Sequence, residues 1–263
     1  MNKALSTRIS TFTRRTLLAA CIAAGAMTVA AHSVAGSWSF GGEQVQGSGR
    51  IVKQERRVGN FNGLSLAVPG HVELRIGSTE GVTIEADDNV LPLLETVVED
   101  GTLEIRPARR NLNFRSKSIR VVVQARSIER LALGGSGSID ADPLRARRLQ
   151  VEIGGSGSVN LKGVESESLV VALGGSGDLK AGAGTVGTVS VSIGGSGDVD
   201  LGRVQATSAR VSVGGSGEAT VWPRNELSVS IAGSGDVNYY GDPKISKSTV
   251  GSGDVRRVGA SPQ

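Results

Sequence analysis

The residues best placed to do chemistry form an evenly spaced set of serines and acids. Serines 136, 156, 176, 196, 216, 234 and 252 each lie in a Gly-Ser-Gly turn, and two positions later stand Ser138, Ser158, Asp178, Asp198, Glu218, Asp236 and Asp254. Carboxylates stacked in a column can share acid and base work on a glycosidic bond or recruit a cation. The competing reading is that they point into water beside a turn, where salt screens their repulsion. A calcium-binding nonapeptide repeat fails as a match, because its acid falls one position later than the acid here and its period is nine residues. A serine nucleophile needs a base, and no histidine stands near any serine of the repeats, His32 and His71 being the only two. The serine column is therefore read as structural, its hydroxyls bonding one another or the turn backbone.

Two smaller sets are binding candidates. Arg106, Arg109, Arg110, Arg115, Lys117 and Arg120 form a basic cluster that could meet an anionic glycan or lipid head group, or could simply be a solvated hairpin. Trp222 and Tyr240 each lie six residues after a turn serine in consecutive units, so they are expected to stack, either against a sugar or over the last core layer. One cysteine and two histidines leave a transition-metal site without ligands. No Lys-Ser or Lys-Thr follows the glycine turns, which removes the phosphate loop. No cofactor and no metal are expected.

The elements that must position these residues follow from the spacing. Successive turn serines are 20 residues apart four times and then 18 apart twice, a period that marks stacked units. Five and three residues before each of the first six serines the chain is apolar, as at Leu131 and Leu133 or Val191 and Ile193. Three and five residues after each of these six the chain is apolar again, as at Val159 and Leu161. Alternation on both sides of a turn means two short strands per unit, and a further apolar position at Leu144, Val164 and Val204 marks a second corner. The fold class expected is all-β, a parallel β-helix with three-sided coils of about 20 residues. Upstream, residues 50–130 hold strands of less regular spacing. Asp87-Asp88-Asn89 supplies a cap candidate for one short helical turn, and Glu99-Asp100-Gly101 reads as a hairpin turn. In each unit the glycine after the serine fits a corner that needs positive φ or leaves no room for a Cβ between coils.

Residues 1–35 read as a signal peptide. Lys3, Arg8, Arg14 and Arg15 precede an apolar stretch from Thr16 to Ala31, with cleavage expected after Ala31 or Ala35. Thr13-Arg14-Arg15-Thr16-Leu17-Leu18 fits a twin-arginine signal, and an ordinary secretory signal stays open beside it. Leu18-Ala19-Ala20-Cys21 looks like a lipobox that would anchor the chain to a membrane. The short gap after Arg15 and the apolar run beyond Cys21 argue against it. Of the formal net charge of +4, the four basic residues of this segment account for all, so the mature chain is neutral and lacks the footprint of a nucleic-acid binder. Residues 36–49 read as a Gly/Ser-rich linker, 50–257 as one domain with its repeats at 131–255, and 258–263 as a tail.

Several segments together resemble the family of bacterial envelope proteins named "putative autotransporter adhesin, head GIN domain". They are Arg57-Val58-Gly59-Asn60-Phe61-Asn62-Gly63-Leu64, Val72-Glu73-Leu74-Arg75-Ile76-Gly77, Val82-Thr83-Ile84-Glu85-Ala86-Asp87-Asp88-Asn89, Gly101-Thr102-Leu103-Glu104-Ile105 and the Gly-Ser-Gly-Asp repeats. The resemblance covers about residues 50–257. It implies a right-handed parallel β-helix at the cell surface or in the periplasm, and it supplies no catalytic residue. No translocator barrel is expected after Val255, since only Arg256 to Gln263 follow. The function expected is non-enzymatic, an adhesin-like or scaffold surface that meets an envelope protein or glycan. The alternative is a β-helix that binds or degrades envelope polysaccharide. Open terminal coils offer a route to self-association.

Overall fold

The computed structural model describes residues 43–116 and 119–262. The signal, lipobox and cleavage readings, His32 and Lys117 lie outside the described residues.

From Arg130 onward each turn closes a short strand onto the next. Leu133, Ile153, Leu173, Ile193, Val213 and Ile231 are in-register partners, coil upon coil. After the turn, Ile139, Val159, Leu179, Val199, Ala219, Val237 and Val255 form a second parallel ladder. The strands Leu144–Ile153, Val164–Leu173 and Gly184–Ile193 carry a third ladder in their first halves, where Leu144, Val164, Gly184 and Val204 are partners. The coil is thus three-sided, as the spacing predicts. Parallel partners share a face, so like residues line one continuous interior. Nearly all of them are buried, and that burial drives stacking at about 1.5–3 kcal/mol per side chain.

The turn glycines take the second of the two expected roles. Gly137, Gly157, Gly177 and their equivalents do not adopt positive φ. A Cβ at Gly197 would instead fall 2.0 Å from the carbonyl oxygen of Gly177, its equivalent one coil earlier. Gly-to-Gly contact is what lets the coils approach to strand spacing at the corner.

The upstream region is more ordered than its sequence suggests. Gly63–Leu66 and His71–Ile76 form a complete coil whose neighbours are not its neighbours in sequence. Thr102–Pro107 and Arg120–Ala125 lie against one side of it, and Arg130–Leu133 and Ser138–Ala141 against the other. The hairpin is where the sequence places it: Leu94–Glu99 runs antiparallel to Thr102–Pro107, with Asp100 at φ 48° and Gly101 at φ 73°. A 3-10 turn forms at Leu91–Leu93, but Asp87, Asp88 and Asn89 do not cap it. They grip the preceding segment. The Gly49 amide donates to Asp87 at 2.7 Å, the Ser48 amide to Asn89 at 3.0 Å, and Asn89 to the Gln46 carbonyl at 2.8 Å. The stretch read as linker therefore contains a strand, Glu43–Gln46, paired parallel with Leu112–Arg115.

The two ends of the stack differ. At the first, antiparallel strands cover the last coil: Leu94–Glu99 on one side, Gly81–Asp87 and then Ile51–Arg56 on another. Arg56 ties these layers by donating to the carbonyls of Leu94 at 2.7 Å and Leu91 at 3.1 Å, and burial pulls its pKa down. At the other end Lys244–Gly251 is exposed along its whole length, and no described strand pairs with its outer side. Its inward register positions hold Lys247 beside Val229 and Thr249 beside Ile231, and Arg257 lies beside Tyr239. Three of the apolar ladders therefore end in polar residues, while two end in Ile245 and Val255.

Candidate functional site

The serine and acid columns form one edge of the prism. The seven turn serines are exposed, and their amides make the ladder bonds, for example Ser156 to the Gly135 carbonyl at 3.1 Å and Ser216 to that of Gly195 at 3.0 Å. Among the described residues their hydroxyls bond neither one another nor the turn, so the expected hydroxyl ladder does not form. Some of the carboxylates have the structural task instead. Asp198 accepts the Glu218 amide at 3.0 Å and Asp236 accepts the Asp254 amide at 2.8 Å, each one coil on. Glu218 takes Asn238 at 2.6 Å, and Asp254 holds Arg256 at 2.8 Å. Asp178 stands exposed in the same column. Among the described residues no group of three or more His, Cys, Asp or Glu converges as a metal site.

A histidine does reach the repeats. His71 Nδ1 lies 2.9 Å from Ser138 Oγ, and its Nε2 lies 3.6 Å from Asp140. The sequence signal was available. Leu66, Gly70 and Val72 match Leu133, Gly137 and Ile139, so Leu66 to Val72 is a degenerate copy of the turn that puts His71 opposite Ser138. The trio lacks the rest of an acyl-transfer site. His71 and Asp140 have side chains 42% and 43% exposed, and the Ser138 amide is spent on the Gly70 carbonyl at 2.8 Å. Beside it, Lys162 donates to Asp142 at 2.9 Å, which holds that carboxyl below its ordinary range. Glu73 is lowered likewise by Arg75 at 2.9 Å.

Two members of the basic cluster have acidic partners. Arg106 is held by Glu99 at 2.8 Å, Glu95 at 2.9 Å and Glu104 at 2.5 Å, which raise its pKa further. Arg109 lies 3.5 Å from Glu43. Arg110 and Arg115 are exposed, one at a turn and the other at a strand end. The Tyr240 ring lies between Gly202 and Gly259, where a Cβ would come within 3.2 and 3.4 Å of it, and the Trp222 indole lies by Gly241. Tyr240, Lys180, Asp200 and Thr220 line a polar recess of about 650 Å³ against Val258 to Pro262, which were read as a free tail.

Solved structures share this architecture. A crystal structure from Parabacteroides distasonis, titled a putative lipid binding protein, matches with TM-score 0.69 and 25% identity over 82% of this chain and 100% of that one. A putative adhesin from Bacteroides fragilis matches with TM-score 0.76 and 23% identity, over 81% of this chain and 100% of that one. No curated protein matches. The family model "Putative auto-transporter adhesin, head GIN domain" spans residues 60–243, from the degenerate first coil to the last coils of the stack. The chain belongs to that head GIN domain family.

Proposed function

We propose that this domain is a non-enzymatic binding module, exported to the bacterial envelope, that presents a rigid polar surface to a glycan or protein there. The observation that carries this reading is the division of labour in the coil. The interior is filled by buried apolar ladders, while the corner repeats exposed hydroxyls and carboxylates at strand spacing. Such a surface offers many equivalent contacts and changes shape little on binding. The lipid-binding name given to the Parabacteroides protein suggests a lipid ligand, but a filled interior leaves only the outside for one. The degrading alternative has less to rest on, since the acids form one column on one edge, whereas glycoside hydrolysis needs carboxylates flanking the bond. The test is sedimentation of the mature chain with cell-envelope fractions. Saturable retention without release of sugar is expected; depolymerisation of envelope polysaccharide, or no retention by any fraction, would overturn the reading. Cell fractionation with N-terminal mass determination checks export, processing and lipidation at Cys21.

A further inference from the structure

Exposed aliphatic side chains gather at the open end of the stack. Of the large ones that stand out to solvent among the described residues, Ile245, Val250 and Val258 belong to the terminal coil and only Ile51 lies elsewhere. Val250 is 74% exposed, and Ile245, 38% exposed, continues a column in which Val189, Ala209 and Leu227 are all buried. Aliphatic side chains grouped in this way mark a surface that a partner covers.

The main chain at this end is also unmet. Lys244–Gly251 pairs only with Glu218–Gly233, and Val255–Gly259 only with Asp236–Tyr240, so each presents an outer row of amide and carbonyl groups. The first end shows what closes such an edge in this fold. There Leu94–Glu99 and Gly81–Asp87 are added as strands on the last coil. An extended peptide supplies donors and acceptors at strand spacing, which neither a glycan nor a lipid head group does.

The charges say which peptide. Lys247 sits at an inward register position beside Val229, and Arg257 at another beside Tyr239. Lys247 has no ion pair or side-chain hydrogen bond among the described residues, and Arg257 donates only to the Gly241 carbonyl, at 2.6 Å. The nearby Asp254 is taken by Arg256 at 2.8 Å. A strand laid on Lys244–Gly251 sets every second side chain over the inward positions. An acid there would pair with Lys247 as it covers it, and an apolar side chain two residues away would cover Ile245. A second copy of this chain would instead set one cationic edge against another, which is unfavourable.

We infer that the open end binds an extended segment of a partner protein by strand addition, with an acidic residue over Lys247 and an apolar one over Ile245. This edge is separate from the corner of hydroxyls and carboxylates, so the inference goes beyond the binding-module reading and stands or falls independently of it. The test is an NMR titration of the mature chain with a synthetic peptide matched in length to Lys244–Gly251, threonine throughout except for valine opposite Ile245 and glutamate opposite Lys247. Saturable shifts and slowed amide exchange confined to this edge are expected, with binding at least about tenfold weaker when lysine replaces the glutamate of the peptide. Lys247→Glu, a change at an exposed side chain, should invert that preference; its unfolding midpoint is read alongside. A peptide methylated along its backbone nitrogens should not bind the wild type, a control that needs no variant. No shifts at the edge, equal affinity for the glutamate and lysine peptides, undiminished binding of the methylated one, or an unchanged preference in folded Lys247→Glu would each overturn the inference. So would occupation of the edge by phosphatidylglycerol vesicles while the peptide stays inert. Retention on envelope fractions through the corner can persist in every one of these cases, which keeps the two readings distinguishable.

Discussion

Gly174 and Gly177 stand three residues apart in one turn, yet the stack asks different things of them. A Cβ at Gly177 would fall 2.3 Å from the Gly157 carbonyl oxygen, while one at Gly174 would have nothing closer than 4.0 Å. Later coils agree, since Ala232 and Val250 occupy the position of Gly174 while glycine persists at that of Gly177. Gly177→Ala should therefore destabilise the domain by about 2 kcal/mol in urea unfolding, and Gly174→Ala should change it by less than about 0.5 kcal/mol. A second residue-scale expectation concerns pH. The Asp142 carboxyl is held low chiefly by the Lys162 hydrogen bond, so its contribution to stability is present above an ordinary aspartate value of about 3.9 and is lost as pH falls through the lower folded value. In Lys162→Met, the NMR titration of Asp142 should move up toward the ordinary range, and the stability profile should flatten in that window.

Among the elements, the antiparallel cover at the first end depends on few contacts. Arg56 satisfies two carbonyls at 2.7 and 3.1 Å and the Thr96 hydroxyl at 2.7 Å. Arg56→Met should speed amide exchange in Leu94–Glu99 while leaving the coils beyond Ser156 unaffected, because each coil contacts only its neighbours. The coils themselves were legible in the sequence, since a fixed period with alternating apolar residues admits few other solutions. The first coil was not, because Ala67, Val68 and Pro69 replace the glycines and serine by which the repeat is recognised. The same disguise hid the contact of His71 with Ser138. The choice between the two readings of the basic cluster was not legible for a different reason: proximity in sequence does not show that the hairpin partner carries Glu95 and Glu99 beside Arg106.

At the scale of the whole molecule, one end is covered and the other is open but charged. Lys247 and Arg257 take the places where every earlier coil puts a largely apolar side chain, a means of keeping a sheet edge from pairing with a second copy of this chain. The mature chain should sediment as one species over a wide concentration range, and Lys247→Val with Arg257→Val should produce concentration-dependent association in the ultracentrifuge. The order of the layers has a consequence in time. The coil at 63–76 is enclosed by 102–125 on one side and 130–141 on the other, and His71 meets Ser138 across 67 residues of chain. That long closure is the slow, entropically costly step, and until it happens no later coil has a surface to dock on. Each coil after it closes over only 18–20 residues on a finished template. The folding rate is thus set by the first 141 residues, and added repeats would increase stability without lengthening the wait.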